Sequence, residues 1–448
     1  MDYGLISCIP ITVLVVGALL TKRIAEMMII SSIIGAIFVH RSNFFSGYIE
    51  MMYGVLSNPS YQFVLIILMA FGAMIRLSQK SGALLGFGQI MSKFAGGPKK
   101  PLLIAWAMSF LMFIDDYIGT LAISFGMKDI TDKSNIPREH LAYQVGSMSP
   151  SICVLVPFSS WTAFTVGLIS QQGLGFSDYL KAIPFMYFPF FTLIVCLLVA
   201  CGIIPKVGLL KKSYERVQQG GAVLVKEEVG VSIVDLDVTI DKKPSSSLNF
   251  VIPIVVLVLV TMLYDNDLVH GLLAAIVVQG VLYIPQKTMT PTEFVTNCFE
   301  GAKSMCNIAL IVFFAFILNS ANQIIGFSDF FIRGIGESVP VQFLPLAVFL
   351  IVAFTTFATA GYWVVQVITI PIFIPLAAAT GLNPSIAIAA IMSGVTFGGI
   401  LCFYSDIVFM TAAGTGVANI RQVKVAAPYV LGTVVLASIC YVVAGFLM

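Results

Sequence analysis

The sequence predicts an all-α polytopic membrane protein: two inverted repeats, each of five spans, one of them a broken helix, plus one re-entrant hairpin. Three observations predict it. The 448 residues are 58% apolar and only 10% charged, with a mean hydropathy of +0.99. An average soluble domain carries about 25% charged residues. Apolar runs recur at 5–20, 24–40, 61–78, 143–171 and 179–204, then at 248–264, 268–285, 305–322, 385–413 and 425–447. Apart from 143–171 and 385–413, which are longer and interrupted, each is near the roughly 20 residues that span a bilayer. Two more apolar stretches, 101–128 and 343–379, are interrupted in the middle by small or polar residues.

The first run is expected to be a retained span rather than a signal peptide. Met1-Asp2-Tyr3-Gly4 has no basic n-region, and no small-residue cleavage site follows Leu20. A net charge of +2 is too small to suggest a nucleic-acid partner. The eight cysteines lie mostly inside apolar runs, with no CxxC pair and no histidine at ligand spacing, and read as small apolar fillers.

The stretch 101–128 holds Phe113-Ile114-Asp115-Asp116-Tyr117-Ile118-Gly119-Thr120. Its limbs are about a dozen residues each, or about 18 Å of helix, too short for a hydrocarbon core of about 30 Å. Two short limbs meeting at a polar tip predict a re-entrant hairpin, which survives at that depth only buried in protein or lining a cavity. The segment 143–171 is broken at Pro157-Phe158-Ser159-Ser160-Trp161. Proline removes a helix hydrogen bond, and the serines can take up freed backbone groups.

The second half repeats this order, with a hairpin at 343–379 carrying Thr359-Ala360-Gly361-Tyr362-Trp363 and a broken helix at 385–413 carrying Gly398 to Asp406. A displacement of 246 residues places Ser147 on Ser393, Leu155 on Leu401 and Ser159 on Ser405. The expected domains are 1–205, a cytoplasmic linker 206–247, and 248–448. Five spans per half is an odd number, so the halves have opposite orientation. With the N-terminus outside, 21 of the 24 Lys and Arg residues fall on the cytoplasmic side, leaving Arg41, Lys181 and Arg333 outside. Both termini are therefore expected outside. The linker shows no domain signature, and 82–95 and 326–338 read as short amphipathic segments at the interface.

The ionisable residues left at membrane depth are Asp115, Asp116 and Asp406. Such groups mark ion or substrate paths. Arg76 and Lys181 sit near span ends, where they snorkel to the interface, so no core cation is available to the three acids. A proton or a bound cation must neutralise them. Capping of the return limb is the plainer role for Asp115 or Asp116, and more so for Asp406, since Ser405-Asp406 opens a half-helix. Ser159, Ser160 and Thr162 have a plainer role as backbone satisfiers, and Trp161 as packing. His140, in the charged run Arg138-Glu139-His140, reads as solvated.

The run Phe113 to Thr120 resembles the FFDDYxNT signature of the NhaC-type sodium/proton antiporter family. Thr131-Asp132 with Ile136 to Tyr143 looks like that family's "LTD…ISREKLAY" stretch, and Ser159-Ser160-Trp161 with Gly167 matches its STW…G segment. The resemblance covers most of the chain. It implies a secondary transporter of the bacterial inner membrane, typically a homodimer, with a scaffold and a moving domain built from the hairpins and broken helices. The chain departs from the pattern in its second half. Where the family reads approximately GxxFGDHxSPISDT, the Asp-His pair is Gly399-Ile400, while Ser405-Asp406 is kept. Gly361-Tyr362-Trp363 also stands where smaller, hydroxyl-rich residues are expected, and aromatic rings there suit an organic solute.

The leading expectation is a cation-coupled secondary antiporter of the Na⁺/H⁺ type. Asp115 and Asp116 are the Na⁺ ligands for which protons compete, and Ser159, Ser160 and backbone carbonyls of the breaks are neutral ligands. Thr120, Trp161, Thr359, Tyr362, Trp363, Ser405 and Asp406 complete the expected ion and substrate site. The alternative is a Na⁺- or H⁺-coupled carrier of a small organic solute, an amino acid or carboxylate, on the same fold. No cofactor is expected beyond the coupling ions, and no partners beyond those ions, the solute, membrane lipids and a second copy. An enzyme is not expected, because His40, His140 and His270 lie far apart.

Overall fold

The computed structural model describes residues 4–21, 24–83, 86, 100–113, 116–225, 244–264, 267–327, 330, 340–403 and 405–447. These residues form helices and connecting turns, with no strand among them. In chain order the helices are α1 (Ile9–Thr21), α2 (Ile24–His40), α3 (Phe44–Leu56), α4 (Pro59–Lys80), α5 (Lys100–Leu111), α6 (Asp116–Lys133), α7 (Arg138–Leu155), α8 (Ser160–Ser170), α9 (Phe176–Ala182) and α10 (Tyr187–Cys201). After α11 (Gly208–Gln218) come α12 (Leu248–Leu263), α13 (Leu268–Tyr283), α14 (Pro291–Ser304), α15 (Cys306–Ile324), α16 (Leu344–Thr359), α17 (Tyr362–Thr380), α18 (Pro384–Leu401), α19 (Asp406–Thr415) and α20 (Asn419–Leu447).

Among the described residues, five helices are long and apolar enough to cross a membrane, or up to seven if each bent pair counts as one span. Exposed helix faces, on these and on the shorter helices, carry large apolar side chains, as at Leu263, Val277, Val281, Phe299 and Phe354. In a membrane protein that surface meets lipid rather than water. The chain is an all-α integral membrane protein.

The helices form two groups. Helices α1–α4 pack with α12–α15, and α5–α10 pack with α16–α20; the groups meet chiefly where α4 lies on α8 and α15 on α17. Gly72 of α4 and Gly301 of α14 make one crossing possible, because a Cβ on either would strike the backbone of the other helix. At the centre of the second group lie α7 and α18, buried along nearly their whole lengths.

Starts and stops follow local chemistry. Asn383 caps α18, its Oδ1 accepting from Ser385 N at 2.9 Å, with Pro384 at the first helical position. Gly381 and Gly416 end α17 and α19 in the left-handed region at φ 77° and 79°. Val156, ahead of Pro157, is extended at ψ 121° and ends α7, as a residue before proline prefers. Cys402 takes the same extended conformation and ends α18 without any proline.

Helix starts recur at a displacement of 246 residues: 116 and 362, 138 and 384, 160 and 406. The ends of α7 and α18, at 155 and 401, keep the same step.

Several local expectations are corrected. The first broken helix starts earlier than read, at Arg138, and the return limb of the first hairpin runs on to Lys133. Helices α3 and α14 occupy stretches read as connections; both are amphipathic, so neither forms a continuous apolar run. The linker contains α11, which packs on α7 and α20. His140 is not solvated: it is 0% exposed in the first turn of α7, with Nδ1 2.7 Å from the Tyr214 hydroxyl. Burial under α11 removes it from water. The amphipathic segments expected at 82–95 and 326–338 lie mostly outside the described residues.

Candidate functional site

Helices α6, α8, α17 and α19 begin at Asp116, Ser160, Tyr362 and Asp406. Each is the second member of an interrupted pair, and their starts converge in the second group. A helix start presents unsatisfied N–H groups and the positive end of the macrodipole, so four such starts favour negative charge there. Asp116 is 1% exposed at the first position of α6. Thr120, one turn on and also buried, shares its face. Asp115 lies outside the described residues.

Tyr117 crosses between the halves. Its hydroxyl donates to Asp406 Oδ2 at 3.2 Å, 289 residues away in sequence. Tyr117 and Tyr362 each lie within electrostatic range of both Asp116 and Asp406. The two described acids therefore share one site. Asp406 forms no ion pair with a Lys or Arg among the described residues.

Both breaks are closed by the same bond. The Ser159 hydroxyl donates to the Cys153 carbonyl, and the Ser405 hydroxyl to the Gly399 carbonyl at 2.7 Å, each reaching back six residues over the gap. Ser159 also caps α8, accepting from Thr162 N at 3.1 Å. The Thr162 hydroxyl donates to the Val156 carbonyl at 3.0 Å, and the Tyr179 hydroxyl to the Val154 carbonyl at 2.6 Å. The carbonyls of the first break thus already accept one bond each and keep a second lone pair for a ligand. Cys153 Sγ donates to the Phe113 carbonyl at 3.1 Å, tying the first hairpin tip to the broken helix. Ser160 is buried at the start of α8. All eight cysteines are free thiols.

The second hairpin tip turns at Ala360, the C-cap of α16, in the left-handed region at φ 57°. Thr359 ends α16 just before it. Beyond the turn, Tyr362 and Trp363 pack on Trp161 of the first broken helix, with ring centroids 5.5 and 5.3 Å away. Phe164 adds an edge contact to Trp363 at 4.7 Å. One turn below, Thr165 Oγ1 donates to Gln366 Oε1 at 2.7 Å, joining α8 to α17. The Tyr362 ring lies against Gly399, where any Cβ would stand inside it. The residue missing its acid and the residue that brings a ring are direct neighbours.

A second polar cluster lies at the start of α7. Glu139, 0% exposed, accepts from Arg216 Nη1 and Nη2 at 2.9 and 3.1 Å and from Arg421 Nε at 2.8 Å. Next to it, Arg138 grips Asp132 at 2.6 Å and donates to the Thr415 carbonyl at 3.1 Å. Residues from α6, α7, α11, α19 and α20 meet there. Sequence reading placed Glu139 in a solvated run, and nothing local marks partners 77 and 282 residues away. It also passed over Tyr117, although that residue stands inside the quoted motif.

Comparison with known proteins gives the family and the fold. Residues 152–446 match the model of the Na⁺/H⁺ antiporter family. An uncharacterised protein of Haemophilus influenzae is 24% identical over 488 residues, spanning 98% of this chain and 91% of that one. The Alcanivorax borkumensis YdaH transporter, described as having an unusual topology, is similar at a TM-score of 0.53 and 13% identity. That match covers 90% of this chain and 89% of YdaH. Neisseria gonorrhoeae MtrF, described with a class of antimetabolite efflux pumps, is similar at a TM-score of 0.50 and 14% identity, covering 90% of this chain and 83% of MtrF. At such identities the two structures speak for the fold alone.

Proposed function

The chain belongs to the Na⁺/H⁺ antiporter family, and from that premise we propose a cation-coupled secondary active transporter in which Na⁺ and H⁺ compete for Asp115 and Asp116. The observation that carries the reading is the junction of Asp116 and Asp406 around Tyr117, where four helix starts from both halves converge. A buried carboxylate needs a proton or a cation, and alternation between the two is what exchange requires. Ser160, Thr120 and the spare lone pairs of the break carbonyls are the neutral oxygen ligands in this reading. Ser159 and Ser405 hold the gaps closed behind them.

The matched helix starts support reading 1–205 and 248–448 as inverted repeats joined by 206–247, with the two interrupted stretches as re-entrant hairpins. The skewed distribution of Lys and Arg supports both termini outside a bacterial inner membrane. In vesicles carrying a pH-sensitive dye, an imposed Na⁺ gradient drives proton movement in the wild type, and Asp116→Asn abolishes it. Wild-type exchange in both Asp115→Asn and Asp116→Asn would overturn the assignment.

A further inference from the structure

The chain has three tryptophans, and they are not in equivalent states. The Trp106 indole donates to the Leu193 carbonyl at 3.1 Å. Trp161 and Trp363, packed together at the second hairpin tip, have buried Nε1 atoms that make no close hydrogen bond among the described residues; the Trp363 indole has only the Tyr117 hydroxyl oxygen near it, and Trp161 none. The Tyr362 hydroxyl, on a side chain 1% exposed, has the Ser405 hydroxyl and the Ile407 amide near its oxygen, and no close acceptor for its own proton. An indole N–H only donates, and a buried donor left without an acceptor costs about 1–3 kcal/mol. Two donor-only groups and a hydroxyl are thus gathered where four helix starts add positive potential. Next to them Asp406 has one carboxylate oxygen engaged by Tyr117.

The site therefore has an acceptor-seeking side and a cation-seeking side in contact. An inorganic cation alone offers none of the three donors an acceptor. A plain carboxylate places a third negative charge beside Asp116 and Asp406, and a plain amine leaves the indoles idle. We propose that the transported solute is a zwitterionic α-amino acid. Its carboxylate accepts from Trp161 Nε1, Trp363 Nε1 and the Tyr362 hydroxyl, and its ammonium lies against Asp406 and Asp116. This rests on the transporter reading above and names the organic solute that the same site carries. Gly399 belongs to the design, because its missing side chain is the space that the Tyr362 ring fills.

The test uses the full chain in lipid nanodiscs on a Trp106→Phe background, so that indole emission comes only from Trp161 and Trp363. The probes are the twenty standard α-amino acids, with tryptophan read by Tm alone because its own indole emits, and, for each that binds, its decarboxylated amine and deaminated acid. The expected result is a saturable emission shift and a raised Tm with at least one amino acid, its amine and acid binding at least about tenfold more weakly, or about 1.4 kcal/mol. Trp363→Phe, which keeps a ring and removes the donor, weakens the amino acid by about tenfold and leaves its amine unchanged; Trp161→Phe repeats the test at the fully buried ring. No binding by any amino acid, an amine as tight as its parent, or full affinity in both Phe variants would each overturn the proposal. Na⁺-driven proton movement that persists in the wild type when no amino acid binds would sink the solute assignment and leave the cation reading standing. Its absence from the wild type would sink the cation reading itself.

Discussion

The Tyr117 hydroxyl donates to Asp406 Oδ2 across 3.2 Å, so the return limb of the first hairpin is bonded to the second broken helix. A hydrogen bond to a charged group contributes about 1.5–3 kcal/mol. Tyr117→Phe keeps the ring and loses the bond. A thermal melt in detergent should show lower stability by about that amount, and vesicle exchange should slow, because the contact couples the two interrupted pairs. Unchanged Tm and exchange would mean that the bond contributes nothing in solution.

The Gly399–Tyr362 contact predicts a non-additive pair. Gly399→Ala forces the Tyr362 ring to move, at an overpacking cost of about 1–3 kcal/mol. Tyr362→Ala opens the space, so the double variant should be less destabilised than the sum of the singles. Additive melting shifts would refute the contact.

Loss of either serine closure should loosen its break. Ser405→Ala leaves the Gly399 carbonyl without its hydroxyl donor, and Ser159→Ala also removes the cap on α8. Each should cost about 1–3 kcal/mol, read as faster amide hydrogen exchange at the affected half-helix. Ser159→Ala is expected to be the more severe, since it removes two roles at once.

Glu139 holds Arg216 and Arg421 with no exposed surface of its own. Breaking a buried ion pair by removing one partner costs about 3–5 kcal/mol. Glu139→Ala should therefore sharply reduce the folded yield, while Arg216→Ala, which leaves the Arg421 contact, should be milder. Equal losses in the two variants, measured by size-exclusion profile and Tm, would argue against a shared anchor.

Ala360 turns the second hairpin at φ 57°, where a residue with a Cβ is disfavoured by about 1–2 kcal/mol. Ala360→Gly should match or exceed wild-type thermal stability. A lower Tm would show that the methyl group packs usefully at the tip.

Much was legible in the chain because its signals are local. Apolar runs of bilayer length, set off by Gly, Pro and charged ends, marked most of the helices, and the order of interruptions pointed to the 246-residue step that the helix starts also keep. Amphipathic helices such as α3, α11 and α14 were missed, because their apolar faces are not contiguous in sequence. Asp116, Ser159, Trp161, Tyr362 and Asp406 stood out because a polar or aromatic group inside an apolar run is conspicuous by itself. Their partners were hidden. Which hydroxyl meets Asp406, which ring fills the place of a missing side chain, and which arginines reach Glu139 are contacts between residues up to 289 positions apart.

Composition and periodicity alone thus settle that this is a helical membrane protein with costly acids at interrupted helices, because desolvation penalises those residues wherever the chain goes. The tertiary structure decides what the interruptions mean. Packing four helix starts together places the acids of both halves around Tyr117, and the absence of a side chain at Gly399 admits the Tyr362 ring beside them. The burial that gathers these groups also removes water as a hydrogen-bond partner, and no reading of one segment at a time reveals which groups are then left facing one another.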